Sequence, residues 1–257
     1  MKKIISLVFL ILISFISCDE KDCCVNIEPA QVTLDFTHNW DGTAVNTSDF
    51  STLKFTNENG EEISIENLRY LVSKIKLTDT NNQEIALKEY QLVNIGEETG
   101  LQLITDNIPT GTYKLSFTFG FSDTDNQDGI YQDLNTANFN VPGMLGGGYH
   151  YMQFDGKYLD TNNQEQPFNY HAIRAVDRSD PNNLILEDTS FLVDLGNVEV
   201  SNDMNIEIKM DISEWFKNPN TWDLNELNTV LMPNFEAQKM MSANGKSVFS
   251  LGEITSN

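Results

Sequence analysis

Only three histidines occur in the 257 residues, and each lies in an aromatic stretch. His38 sits in Phe36-Thr37-His38-Asn39-Trp40-Asp41-Gly42, His150 in Gly148-Tyr149-His150-Tyr151-Met152, and His171 in Phe168-Asn169-Tyr170-His171-Ala172-Ile173. Neutral imidazole is the commonest metal-ligating side chain. It suits zinc and copper, and copper(II) stands highest in the Irving–Williams order. Val32, Leu34 and Phe36 alternate with Thr33, Asp35 and Thr37, so this stretch reads as a strand ending in an Asp-Gly turn. Side chains two apart on a strand share a face, which puts Phe36, His38 and Trp40 on one side. The same period groups His150 with Met152 and Phe154, against Tyr149, Tyr151 and Gln153. Met152 would then offer a soft thioether beside His150, or simply pack in a core. Asp41 and Asp155 either fix a ring tautomer as hydrogen-bond acceptors or serve as turn residues before Gly42 and Gly156. The metal reading has the three segments converge on one ion. The competing reading leaves each histidine as a hydrogen-bonded, half-buried strand residue.

The elements that must position these residues are mostly strands. Short alternating runs recur at residues 52–55, 63–65, 67–77, 90–95, 101–104 and 112–121, separated by turn clusters such as Asn57-Glu58-Asn59-Gly60 and Asn107-Ile108-Pro109-Thr110-Gly111. That spacing predicts an all-β chain, a β-sandwich of immunoglobulin-like or related type. Residues 184–195 and 198–212 read as a closing hairpin around Gly196-Asn197, and residues 234–242 as a helix stopped near Asn244-Gly245. Residues 122–148 break the pattern. They are acidic and polar and end in a flexible Gly146-Gly147-Gly148 run, and long loops of this kind are either functional or disordered. Asp123-Thr124-Asp125-Asn126-Gln127-Asp128-Gly129 imitates a calcium loop, but its glycine is one place late and Leu134 stands where the closing glutamate belongs.

The chain begins with Lys2-Lys3 and an apolar run over residues 4–16, too short for a permanent span. The run ends in Phe15-Ile16-Ser17-Cys18, which resembles the lipobox of bacterial lipoproteins. The organisation expected is a signal over residues 1–17, a tether over 18–31 with lipid on Cys18, and one domain over 32–257. This places the protein in the cell envelope, anchored to the inner or outer membrane and facing the periplasm or the cell surface. Two or more acyl chains make such an anchor stable. Cys23 and Cys24, adjacent in the tether, fit no zinc spacing. The formal net charge of −22 offers no basic stripe for nucleic acid, and it concentrates cations near the surface.

No Gly-x-Ser-x-Gly elbow, P-loop or HExxH motif is present, so the residues give no sign of an enzyme. A metal-independent alternative is a module binding glycan or peptide, with Trp40, Trp215 and Trp222 as stacking platforms on an exposed face.

Several stretches together resemble the MbnP-like family of extracytoplasmic copper-binding proteins. They are the His38-Asn39-Trp40-Asp41-Gly42 strand, Leu68-Arg69-Tyr70-Leu71-Val72-Ser73, Gly111-Thr112-Tyr113 with Phe117-Thr118-Phe119-Gly120, Gly148-Tyr149-His150, Tyr170-His171, and the late Asn244-Gly245-Lys246-Ser247-Val248-Phe249. The resemblance implies a β-sandwich that binds copper through histidines. It also implies a tryptophan oxidised to kynurenine beside the site, with a di-haem peroxidase-like partner enzyme. Carried over, His38 and His171 are ligands and Trp40 is the oxidisable position. His150 follows a Gly-Tyr the family often shows, although many members lack a histidine there. This chain has Ala172-Ile173 where members commonly have an apolar residue and glycine.

Overall fold

The computed structural model describes residues 29–180 and 182–256. The signal segment, the lipidation position Cys18 and the pair Cys23 and Cys24 lie outside those residues. Strand β1 (Ala30–Trp40) alternates as its sequence requires, with Val32, Leu34 and Phe36 buried. It ends at Asp41 and Gly42, both at positive φ, and turns back into β2 (Thr43–Ala44). There follow β3 (Phe55–Thr56), β4 (Glu62–Asp79), β5 (Glu84–Asn94), β6 (Gln102–Ile108), β7 (Gly111–Phe119) and a single helical turn, α1 (Gln132–Thr136). The second half contains β8 (Met152–Leu159), β9 (Glu165–Ala172), β10 (Ala175–Asp177), β11 (Ile185–Glu187), β12 (Phe191–Val200), β13 (Met204–Asp211), α2 (Phe235–Gly245) and β14 (Phe249–Ser256).

These strands make an all-β, sandwich-like arrangement. One sheet has the order β14-β13-β1-β2, with β6 also paired to β1. Its β1 and β13 run parallel, Val32 opposite Met204 and His38 opposite Met210. The other large sheet has the order β12-β7-β4-β8-β9, with β3 and β5 on β4, and β10 and β11 pair with each other as a separate two-stranded sheet. Aromatic rings join the two sheets: Phe36 lies 6.4 Å from Phe117, and Phe249 lies 5.2 Å from Phe117 and 5.8 Å from Tyr70. Burying each such ring contributes roughly 1.5–3 kcal/mol. The long β4 is the spine, pairing with β8 along residues 63–70 and with β7 along 72–79. Leu71 is the hand-over: its N–H donates to the Tyr151 carbonyl and its own carbonyl accepts from the Gly120 N–H, both at 2.8 Å.

Two expected elements are built differently. Gly196-Asn197 is not a hairpin turn but a bulge inside β12, where the register with β7 shifts between Asp194 and Asn197. Gly196, at φ +83°, takes the left-handed conformation that a bulge assigns to glycine. The chain then turns at residues 201–203 and leaves the second sheet, so β12 and β13 lie in different sheets. Residues 122–148 are likewise not a loose loop. Leu134, Phe139 and Tyr149 are buried with Leu71 and Phe121, and Val141 and Leu145 are buried with Ile173. The stretch wraps the outer face of the second sheet as a strap. Apolar residues spaced among acidic ones pin it there.

Candidate metal centre

Beneath the strap, the outer face of β4, β8 and β9 carries two polar rows set by strand register. Arg69 lies opposite Gln153, which lies opposite His171, and Asn67 lies opposite Asp155, which lies opposite Asn169. Asp155 Oδ1 accepts from Asn169 Nδ2 at 2.6 Å and from His171 Nε2 at 2.7 Å, and Oδ2 accepts from Asn67 Nδ2 at 2.9 Å. Burial alone would raise this carboxyl. The hydrogen bonds from His171, Asn67 and Asn169 outweigh it and hold the pKa at about 2. Arg69 donates Nε–H to Gln153 Oε1 at 2.7 Å and Nη1–H to the Ala137 carbonyl at 3.0 Å, with its guanidinium 5.4 Å from the Phe139 ring. Helix α2 secures the end of β9. Gln238 Nε2 donates to the His171 carbonyl at 2.9 Å, while Gln238 Oε1 accepts from the Ile173 N–H at 2.8 Å.

His150 reaches the same place from the strap. Its backbone N–H donates to the Phe139 carbonyl at 2.9 Å, and its ring Nδ1 lies 3.0 Å from that carbonyl. The ring centroid is 5.4 Å from that of His171, at an interplanar angle of 84°. His150 Nε2 is buried without a hydrogen-bond partner. Burial, with further lowering by His171 and Arg69, brings the His150 pKa to about 4, so the ring is neutral near pH 7. Among the described residues no three His, Cys, Asp or Glu side chains are gathered to hold a metal ion. The arrangement is a histidine pair with Asp155 behind one member. Among the described residues His150 Nε2, Arg174 Nε and Trp215 Nε1 are buried without a partner. Of these, only His150 Nε2 can offer a lone pair, and beside a second imidazole it fits a cation with affinity for nitrogen.

Met152 does not join them. The two-residue period expected through His150, Met152 and Phe154 breaks at Tyr151, whose N–H donates to the Ala172 carbonyl ahead of β8. Tyr151 and Met152 both enter the sandwich core, 1% and 0% exposed. His150 is left on the side of Gln153 and Asp155. His38 does not join them either. Its Nε2 lies 3.0 Å from the Tyr70 hydroxyl, inside the sandwich. Tyr70 and Arg69 are consecutive on β4 and point to opposite faces, so the sheet separates His38 from the pair beside Arg69. Burial lowers the His38 pKa to about 4.

Trp40 is enclosed between Phe55 and Phe216, at centroid distances of 4.9 and 5.8 Å, and donates its indole N–H to the Thr56 carbonyl at 3.0 Å. Trp215 and Trp222 are fully buried as well, so none of the three tryptophans forms an exposed stacking platform. Asp41 accepts from Ser213 Oγ and pairs with Lys217, away from any imidazole. The residues that sequence reasoning passed over are Phe139, whose carbonyl holds His150, and Asn126, whose Oδ1 accepts from the Tyr149 N–H at 2.7 Å. The apolar Leu134, Phe139, Val141 and Leu145, spaced among polar and acidic residues, were the available signal.

A β-sandwich-like protein with a strap folded over a histidine pair, one member buried and one half-buried, is thus the class that fold and site define. The MbnP family model matches residues 29–233, and the chain belongs to the MbnP family. It is also similar to the solved structure of MbnP from Methylosinus trichosporium, at 12% identity and a TM-score of 0.47 over 71% of this chain and 76% of that one. No curated protein matches it.

Proposed function

We propose that the protein binds copper between His150 and His171 and is held at the cell envelope by lipid on Cys18. The observation that carries the metal reading is His150 Nε2, a buried nitrogen with no partner beside a second imidazole. Leaving a buried polar atom unsatisfied costs about 1–3 kcal/mol, and a bound cation removes that cost. Calcium and magnesium demand oxygen ligands, whereas a pair of imidazoles suits copper or zinc. The family resemblance favours copper. The role we assign is scavenging, storage or delivery of the metal, with no catalytic step. The resemblance also proposes a di-haem peroxidase-like partner acting on Trp40, which peptide mass spectrometry would read as conversion to kynurenine, one oxygen gained and one carbon lost. The acidic body is matched to cations and not to nucleic acid.

The test is a copper titration of the processed, detergent-solubilised protein against a competing chelator, in both oxidation states and with zinc as control. The background carries Cys23→Ser and Cys24→Ser, because thiolates are soft ligands that capture copper(I) themselves. We expect one copper per chain. His150→Ala and His171→Ala each weaken binding tenfold or more, about 1.4 kcal/mol, and His38→Ala leaves it unchanged. Equal binding by wild type and the His150 and His171 variants would make the pair structural and end this reading. For the anchor, Cys18→Ala should move the protein from the membrane fraction to the soluble one.

A further inference from the structure

We infer that the two imidazoles face the metal through different ring nitrogens, His150 through Nε2 and His171 through Nδ1, and that Asp155 is the positioning residue for the second. This rests on the copper reading above and adds the ligand atoms and what sets them. A backbone carbonyl can only accept a hydrogen bond. His150 Nδ1, 3.0 Å from the Phe139 carbonyl oxygen, must therefore carry the ring proton. A neutral imidazole has one such proton, so the His150 lone pair lies on Nε2. That atom is the one left buried and unpartnered.

His171 is set the opposite way. The Asp155 carboxylate takes amide protons from Asn67 and Asn169, one donor on each flanking strand, and is an acceptor towards all three neighbours. His171 Nε2, 2.7 Å from Asp155 Oδ1, thus carries a proton, which leaves Nδ1 as the ring nitrogen able to present a lone pair to a metal. The two ligands hang from different supports: His150 from a carbonyl of the strap, His171 from a carboxylate clamped across β4, β8 and β9. Carboxylate–histidine–metal relays of this kind fix ring orientation and raise ligand basicity. Here only His171 has one, so Asp155 governs that half of the pair alone.

The experiment is nitrogen-detected NMR of the processed protein, in the same Cys23→Ser and Cys24→Ser background and labelled with 15N-histidine, first copper-free and then with one equivalent of copper(I) under anaerobic conditions. Copper-free protein should show Nδ1–H on His150 and Nε2–H on His171. Copper(I) should shift His150 Nε2 and His171 Nδ1 and leave both N–H protons in place. Asp155→Ala should release the His171 ring, changing its nitrogen shifts, and weaken copper binding about 10–100-fold. Asp155→Asn, whose amide oxygen still accepts, should restore most of both. The opposite tautomer on either ring, or copper shifts at the opposite nitrogens, overturns the inference while copper binding itself stands. If both Asp155 variants lose thermal stability but keep the His171 shifts and the affinity, the positioning role is overturned. If wild type shows the expected tautomers but takes up no copper, the proposed function fails and the ligand-atom assignment fails with it.

Discussion

His38 and Tyr70 place two polar groups inside an aromatic core, 3.0 Å apart and both deeply buried. Burial holds the imidazole neutral, with a pKa of about 4 against 6.5 in an unstructured chain. As pH falls through the unfolded value, the unfolded chain takes up a proton that the folded chain refuses. The stability this histidine contributes is full above pH 6.5 and is lost progressively towards pH 4, on the order of 3 kcal/mol. Urea unfolding of copper-free protein should therefore show a marked loss between about pH 7 and pH 4.5. His38→Gln should be less stable than wild type at pH 7 yet lose less on acidification, with the remaining slope due to His150. Equal acid losses in the two proteins would assign the effect elsewhere. At this scale the sequence was informative about which residues matter and poor about where they point. His150 and His171 were named from residue type and aromatic setting. The grouping of Met152 with His150 failed because Tyr151 and Met152, consecutive in sequence, both enter the core just ahead of and at the start of β8. Periodicity cannot register such a break.

At the scale of the element, the strap decides whether the pair exists, and its glycine run decides the path of the strap. Gly146, Gly147 and Gly148 all have positive φ, between +64° and +94°. At Gly148 a Cβ would lie 2.4 Å from Asn126 Oδ1 and 2.8 Å from the Asn126 carbonyl oxygen. Gly148→Ala therefore combines left-handed strain with a backbone clash, two residues before His150 and one before the N–H that Asn126 holds. We expect a loss of more than 1 kcal/mol in stability and a weakening of copper binding larger than that stability loss explains. Gly143→Ala, in the same strap but with open space at its Cβ, should change neither measurably; chelator competition and thermal unfolding check both. Strands with clean alternation, β1, β7 and β13, were legible because one face is buried and the other is not. The strap was not, because its few apolar residues follow no period and find partners, such as Leu71 and Ile173, that lie on other elements. The Gly196 bulge was misread for a related reason: a glycine at positive φ marks a turn and a bulge alike, and only pairing with β7 separates them.

Over the whole molecule the dominant quantity is charge. The chain carries 38 acidic against 16 basic side chains, and the ion pairs that offset some of this are exposed, such as Lys114–Asp194 at 3.1 Å and Lys157–Glu165 at 3.2 Å. Pairs of that kind contribute about 0–1 kcal/mol each, whereas unbalanced like charge opposes the compact state. Salt weakens both, with a screening length of about 10 Å at 0.1 M, so the sign of the salt effect tells which is larger. Because carboxylates outnumber cations by more than two to one, repulsion should win. Sodium chloride raised from roughly 0.02 to 0.5 M should then lift the thermal midpoint of the copper-free protein by a few degrees, given about 2–4 °C per kcal/mol for a chain of this size. The same screening removes the attraction of the surface for cations, so the rate of copper association should fall over that range while the dissociation rate from the His150–His171 pair stays nearly constant. A midpoint that falls with salt would mean that the ion pairs outweigh the net charge. An association rate indifferent to salt would leave the acidic surface a solubility device with no part in metal capture.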